Sequence, residues 1–291
     1  MASLKQVRQR IKTSKNIMQI TRAMKLVSAA RLKKAQERAL DARPYSEYMR
    51  DLMQSISFGV DVPRHPLIEK RKTPREQKKY GLILITAERG LAGSYNTNLI
   101  RTAGDFIKSK PGEAKLISIG KKGAQFFGKR DHEVLHRHTL ATSGVTIDDA
   151  KEISEIAKAQ YLSNEVEAVY VCYSKFYSAI RQVPEVFQLL PIIPPKNEDG
   201  TPPKVKEYLF EPDVEEMMNI LLPKYLLTLT YQTLLEAFAS EHGARMTAMT
   251  SATDNAKQMI DDLTLVANRE RQARITTEIL EVVGGAEALN G

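Results

Sequence analysis

Apolar and small residues near the end of the chain recur in a pattern that a compact domain cannot use. From Met249 they fall at Met249, Ala252, Ala256, Met259, Leu263 and Val266. These alternating steps of 3 and 4 are the spacing of a coiled-coil seam. A helix from Asp213 to Val283 would be roughly 105 Å long at about 1.5 Å per residue. The core of a 291-residue chain cannot bury such a rod, so a second long helix or an outside partner must line it.

The opening of the chain offers that second helix. Between Ala2 and Ser57 there is one proline, Pro44, and no glycine. Apolar and small positions include Leu4, Val7, Ile11, Met18, Met24, Val27, Leu32, Ala35, Ala39, Ala42, Met49, Leu52 and Ile56. Alanine at seam positions lets two backbones approach closely, and neither helix covers its own stripe, so terminus pairs with terminus. A strict seven-residue repeat would wind the pair left-handed. Pro223 removes one backbone hydrogen bond and predicts a local kink, and Gly243 weakens the helix further.

The middle of the chain changes period. Strands are predicted at 80–86, 115–119, 133–138, 166–173 and 182–192, the last an edge strand because of Pro184. Helices are predicted at 97–108, 121–129 and 148–162. This alternation implies a mostly parallel sheet with helices packed on it. Lys70 to Lys79 (KRKTPREQKK) reads as an exposed basic linker and Pro194 to Pro203 (PPKNEDGTPP) as a polar connector. Asp213 and Glu216 have the spacing of a capping box. The expected organisation is therefore an N-terminal coiled-coil helix (1–57), a basic linker (58–79), a Rossmann-like α/β domain (80–193), a proline-rich connector (194–212) and a C-terminal coiled-coil helix (213–291). The expected fold class is α/β plus a long coiled coil of the N- and C-terminal helices, which the resemblance named below implies is antiparallel.

Composition adds limits. No run of about 18 apolar residues exists, so no membrane span is expected. Cys172 is the single cysteine, which excludes an intrachain disulfide and points to a reducing compartment. In its apolar run it reads as a buried, inert thiol. The formal net charge is +8, and ten Lys or Arg precede Glu37 without one acid. Four readings of that block stay open: a transit peptide, a nucleic-acid arm, a solvated helix face, or a cationic helix facing acidic loops of a partner.

Candidate chemistry is sparse. The turn after the first strand, Arg89 to Ser94 (RGLAGS), lacks G-x-G-x-x-G, and no P-loop occurs. His132, His136 and His138 cluster, but on an extended segment with few acids they read as surface histidines rather than a metal site. Glu278 and Glu281 fit a solvated or partner-facing helix better than a carboxylate pair. No nucleophile turn is present. Catalytic, cofactor-binding and metal residues are all expected to be absent.

Four blocks carry a resemblance. They are Ile20 to Leu32 (ITRAMKLVSAARL), Arg89 to Leu99 (RGLAGSYNTNL), Ala244 to Asn255 (ARMTAMTSATDN), and Ile275 to Glu281 (ITTEILE) followed by Gly285 to Ala288 (GAEA). In this order, and across the whole chain, they resemble the gamma subunit family of F-type ATP synthases. The resemblance implies a non-catalytic rotor shaft, an antiparallel left-handed coiled coil on the axis of an alpha–beta hexamer. The α/β domain would sit beside the epsilon subunit on the c-subunit ring. Proton flow would turn the ring and the shaft, driving each beta subunit through its conformations. By block matching, Arg245, Arg271 and Gln272 correspond to positions that meet the beta subunit's catch loop, with Thr276 and Glu278 nearby. Met24 and Lys25 correspond to the part facing beta's acidic lever loop, and the family varies at the second. Tyr208, Phe210 and Glu211 match the foot on the c ring.

Ala92 stands where many relatives have cysteine, and nothing from Pro191 to Pro212 resembles the regulatory insertion of plastid forms. The location implied is peripheral, on the cytoplasmic face of a bacterial cell membrane, with an organellar form left open. No nucleic acid is expected as a partner. The alternative is a soluble α/β nucleotide-binding enzyme with helical arms, which nucleotide turnover by the isolated chain would reveal. A basic coiled-coil nucleic-acid binder would instead give steeply salt-dependent DNA binding.

Overall fold

The computed structural model describes residues 4–59, 65–71, 79–130, 132–193 and 214–290. The element order is α1 (Leu4–Gly59), β1 (Lys79–Ile85), α2 (Tyr95–Ser109), β2 (Glu113–Ile119), α3 (Lys121–Phe127), β3 (Val134–His138), α4 (Ile147–Leu162), β4 (Ala168–Phe176), β5 (Gln182–Leu190) and α5 (Val214–Asn290). The chain divides into two compact units. Unit 1 combines Met1–Val27 with Met246–Gly291, and unit 2 is Ser28–Arg245.

Unit 2 is built on a five-stranded sheet of order β3-β2-β1-β4-β5. β1, β2, β3 and β4 pair in parallel, and β5 pairs antiparallel to β4. The predicted strands are all present, and Pro184 lies on the edge strand as its missing N–H requires. β1 is buried from Tyr80 through Ile85, the signature of a strand covered on both faces. One face packs Leu82, Leu84, Leu116 and Cys172 against Tyr95, Leu99 and Ala103 of α2 and Phe127 of α3. On the other face, His136 and His138 are in register with Ile117 and Ile119 and reach Asp149 and Glu152 of α4. α4 starts with a reciprocal capping box between Thr146 and Asp149. At the β2–α3 junction Gly120 has φ +83, and a Cβ there would lie 2.1 Å from the Thr86 carbonyl oxygen. Only glycine fits.

Within unit 2, α1 buries Ser28, Leu32, Ala35, Ser46, Met49, Met53 and Ile56, a run of heptad positions. α5 buries Met218, Leu221, Leu222, Tyr225, Leu226, Leu234, Leu235, Ala237 and Phe238. So many buried positions wrap more than one side of α5, which here serves the domain as well as a helix partner. The hydroxyl of Ser240 donates to Ser174 O of β4 at 2.7 Å, and the hydroxyl of Tyr95 donates to Ala237 O at 3.1 Å. Both helices continue through their prolines, Pro44 and Pro223.

Unit 1 is an antiparallel helix pair. Ser14 Oγ donates to Met259 Sδ at 3.3 Å, and Thr253 Oγ1 donates to Thr21 Oγ1 at 2.8 Å. Along α1 the buried positions Val7, Ser14 and Thr21 lie seven apart. Half-buried Leu4, Ile11, Met18 and Lys25 complete the 3–4 spacing. α5 follows the expected seam in part. Met249, Ala256 and Leu263 are covered as expected, but Met259 and Val266 are 54% and 46% exposed, and Thr253, Ile260 and Ala267 carry the alternate positions. From Met249 to Ala267 the covered positions step 4, 3, 4, 3 and 4, so the seven-residue repeat holds while every second seam position lies one residue later than its apolar residues indicate. Val27, one of the apolar positions of α1, is 50% exposed.

Candidate functional site

In unit 2, Glu241, His242 and Arg245 share one turn of α5 under the loop that follows β1. Arg245 is only 7% exposed despite its charge. Its Nη1 lies 2.7 Å from Glu241 Oε1 and donates to His242 Nδ1 at 3.3 Å. Its Nη2 points to the carbonyl oxygens of Arg89 and Gly90, each 3.5 Å away. Leu91 and Gly93, both left-handed (φ 62 and 56), fold that loop. Burial raises the pKa of the Glu241 carboxyl, and the Arg245 charge only partly opposes it. Burial, then the charges of Arg245 and Arg31, drives His242 down to about 3, so its imidazole is neutral. The His242 ring also packs against Phe238, centroid to centroid 4.4 Å. The result is a desolvated ion pair braced by a neutral imidazole.

Chemically, this arrangement holds a loop rather than a phosphate. A dinucleotide turn aims free backbone N–H groups at the ligand. Here the Ala87 amide donates to Asn96 Oδ1 at 2.9 Å, and the Gly123 amide donates to Thr86 Oγ1 at 2.9 Å. The carbonyls of the same turn face a cation. Cys172 is buried with its thiol pushed up to about 12 by desolvation, which keeps it protonated and unreactive.

In unit 1 the helix pair uses up its shorter member. Ser14 opposite Met259 and Thr21 opposite Thr253 fix a register in which Leu4 is reached near residue 270 of α5. Every residue from 271 to 286 is exposed. Ile275, Ile279, Val282 and Val283 fall on one helical stripe there, with Leu280 beside it, all open to solvent. The Arg274–Glu278 pair at 2.9 Å is the kind of exposed i,i+4 contact that adds little stability.

Known proteins of one family match this chain along nearly its whole length. The profile of the family described as ATP synthase matches residues 3–289. The ATP synthase gamma chain of Desulfitobacterium hafniense is 44% identical over 99% of this chain and 100% of its own length. That of Pelotomaculum thermopropionicum is 45% identical, with the same coverage. The chain belongs to the ATP synthase gamma chain family. A chain of the Euglena gracilis mitochondrial ATP synthase, solved with its OSCP, F1 and c-ring parts, shares the fold at TM-score 0.65 and 20% identity. That match covers 98% of this chain and 94% of the Euglena chain.

The sequence-derived contact residues of this gamma chain family member occupy different environments. Arg245 is buried in unit 2. Arg271, Gln272, Thr276 and Glu278 are exposed in the unpaired part of α5 in unit 1, where Thr276 Oγ1 donates to Gln272 O at 3.0 Å. Met24 and Lys25 are half-buried on α1 in unit 1. Tyr208, Phe210 and Glu211, like Asp213 of the expected capping box, lie outside the described residues. Sequence reasoning missed Glu241 and His242, although an acid four residues before Arg245 was a visible signal. It also missed Ser14, Thr21, Ser28 and Ser46. Their seven-residue spacing from Val7 (Ser46 excepted) was the available clue, hidden because hydroxyls do not score as apolar.

Proposed function

We propose that this chain is the central shaft of a proton-driven F-type ATP synthase, turning inside an alpha–beta hexamer and making no bonds in substrates itself. The observation that carries this reading is the stretch from 271 to 286, a helix whose apolar stripe finds no cover among the described residues. Contiguous exposed apolar surface of this kind belongs against a partner. A sleeve of alpha and beta subunits would supply it. Arg271, Gln272, Thr276 and Glu278 are then free to meet beta, as are Met24 and Lys25 on α1. Arg245 would reach beta only through the edge of its ion pair, or after that pair opens.

Coupling in such a machine is differential contact. A shaft whose sides differ changes the relative stability of beta conformers as it turns. The working division is a coiled-coil helix at 1–57, a linker at 58–79, an α/β domain at 80–193, a connector at 194–212 and a second coiled-coil helix at 213–291. Tyr208, Phe210 and Glu211 would rest on the c ring, and the domain would meet epsilon. The place implied is the cytoplasmic face of a bacterial membrane, peripheral to it, and no helix among the described residues is long and apolar enough to cross one. The decisive experiment is mild release from membranes followed by co-purification. About one copy of this chain per alpha–beta hexamer is expected. Recovery as a free chain that binds and turns over a nucleotide would replace the shaft with an enzyme.

A further inference from the structure

β3 and α4 place four metal-capable side chains together. His136 and His138, two apart on a strand, project from one face, and Asp149 and Glu152, three apart on a helix, project toward them. His136 Nε2 lies 3.2 Å from Glu152 Oε1, and His138 Nδ1 lies 3.4 Å from the same oxygen. One ligand atom from each of His136, His138 and Glu152 lies within 4.8 Å of the other two. A four-coordinate zinc ion, with bonds of about 2.0–2.1 Å, spaces its ligand atoms about 3.3 Å apart. Two of the three edges already have that length.

Two further observations point to a ligand. His136 Nε2 is sealed from solvent and, though close to Glu152, makes no hydrogen bond. A buried nitrogen left in that state is costly unless something accepts its lone pair. His138 meanwhile has its other nitrogen engaged: Nε2 sits 2.8 Å from Asp149 Oδ1. Asp149 is itself fixed by the amide and hydroxyl of Thr146, which reach its Oδ2 at 2.8 and 2.7 Å. A carboxylate behind a histidine, setting its tautomer and turning Nδ1 toward the centre, is the outer-shell arrangement of metal-ligating histidines. The two imidazoles lie 28° from parallel, centroids 6.3 Å apart.

We propose that His136 Nε2, His138 Nδ1 and Glu152 form a binding site for a divalent transition metal of the zinc class, with Asp149 orienting His138. The fourth position is open to water, because Glu152 is half exposed. The ion ties an edge strand to the helix that covers it, at a place where β3 has a strand on one side only. The site is independent of the shaft reading and would hold in any function of this chain.

The test uses the full chain stripped with a chelator, titrated with zinc chloride by calorimetry and with cobalt chloride by visible absorption. One ion per chain is expected, with the intense bands of four-coordinate cobalt. Glu152→Gln and His136→Gln should each weaken zinc binding at least tenfold, Asp149→Asn by about 10–100-fold, and His132→Ala not at all. Circular dichroism checks that each variant keeps its fold, and zinc should raise the melting midpoint of the natural chain but not of Glu152→Gln. Zinc that binds all variants equally, or binds the natural chain without one-to-one stoichiometry, would reduce the cluster to an ion-pair network and overturn the proposal. So would loss of binding in His132→Ala.

Discussion

Arg245 and Gln272 are both proposed to face beta, yet their surroundings assign them different liabilities. Replacing Arg245 with alanine strands the Glu241 carboxyl, whose pKa burial already raises, in a desolvated site. Breaking one side of a buried pair typically costs about 3–5 kcal/mol. A loss of about 3 kcal/mol is expected in denaturant unfolding of the isolated chain, since Arg31 remains nearby to offset part of it. Gln272→Ala, in exposed helix, should stay within about 0.5 kcal/mol of the natural chain. An activity defect in Gln272→Ala would thus report contact with beta, whereas one in Arg245→Ala would mix contact with folding. His242 sets a pH dependence of definite sign. Its pKa is about 3 in the fold against 6.5 in the unfolded chain, so between those values the unfolded state binds more protons. Its contribution to stability is full above pH 6.5 and falls as pH drops toward 3, by up to about 1.4 kcal/mol per pH unit. Glu241, shifted upward, works in the opposite direction over its own range. Comparing the natural chain with His242→Gln at pH 6.5, 5.5 and 4.5 isolates the imidazole. A variant with an equally steep acid loss would show that His242 does not carry it.

The hydroxyls buried along α1 alternate with its apolar positions and let the helices come close where they fall. Serine and threonine are small enough for near approach, and their polar atoms are satisfied locally: Thr21 donates to Met18 O, and Ser46 to the carbonyls of Ala42 and Arg43. A leucine at Thr21 would lose the Thr253 contact and push the backbones apart. Overpacking of this kind costs about 1–3 kcal/mol, so Thr21→Leu should lower the melting midpoint and speed amide exchange in residues 4–27. A raised midpoint would mean that the seam has room and that close approach is not its design. The same hydroxyls mark where sequence legibility ended. The long helices, the alternating strands and helices of a mostly parallel sheet and the edge position of Pro184 were readable, because period and proline chemistry are local. Every second seam position of α5 was not, because Thr253, a hydroxyl that does not score as apolar, takes the position that Ala252 was expected to fill, and the positions after it follow at Ile260 and Ala267. Met259 and Val266 therefore look like seam residues and are exposed. Arg245 was readable as a notable cation but not as a buried one, since its partners include carbonyls from a loop far away in sequence. His136 and His138 were seen together, while Asp149 and Glu152 joined them only through the pairing of β3 beside β2 and the packing of α4.

For the molecule as a whole, the uneven lengths of the two terminal helices separate self-assembly from transmission. Among the described residues, the contacts of the unit 1 pair lie before residue 271, while the exposed stripe and the exposed Arg271, Gln272, Thr276 and Glu278 lie from 271 onward. If that division is functional, the two properties should come apart on truncation. A chain ending at Glu270 should unfold at the same denaturant midpoint as the natural chain, within about 0.5 kcal/mol, because no described side chain from 271 to 286 is buried. In the assembled synthase the same truncation should lower ATP synthesis several-fold, since the sleeve would lose the apolar bearing surface of Ile275, Ile279, Val282 and Val283. Unfolding by calorimetry and ATP yield in energised vesicles measure the two sides. Undiminished synthesis would mean that torque passes through the paired region alone. A large fall in the isolated chain's stability would mean that residues beyond 270 serve the shaft's own folding, and the uncovered stripe would no longer argue for a sleeve.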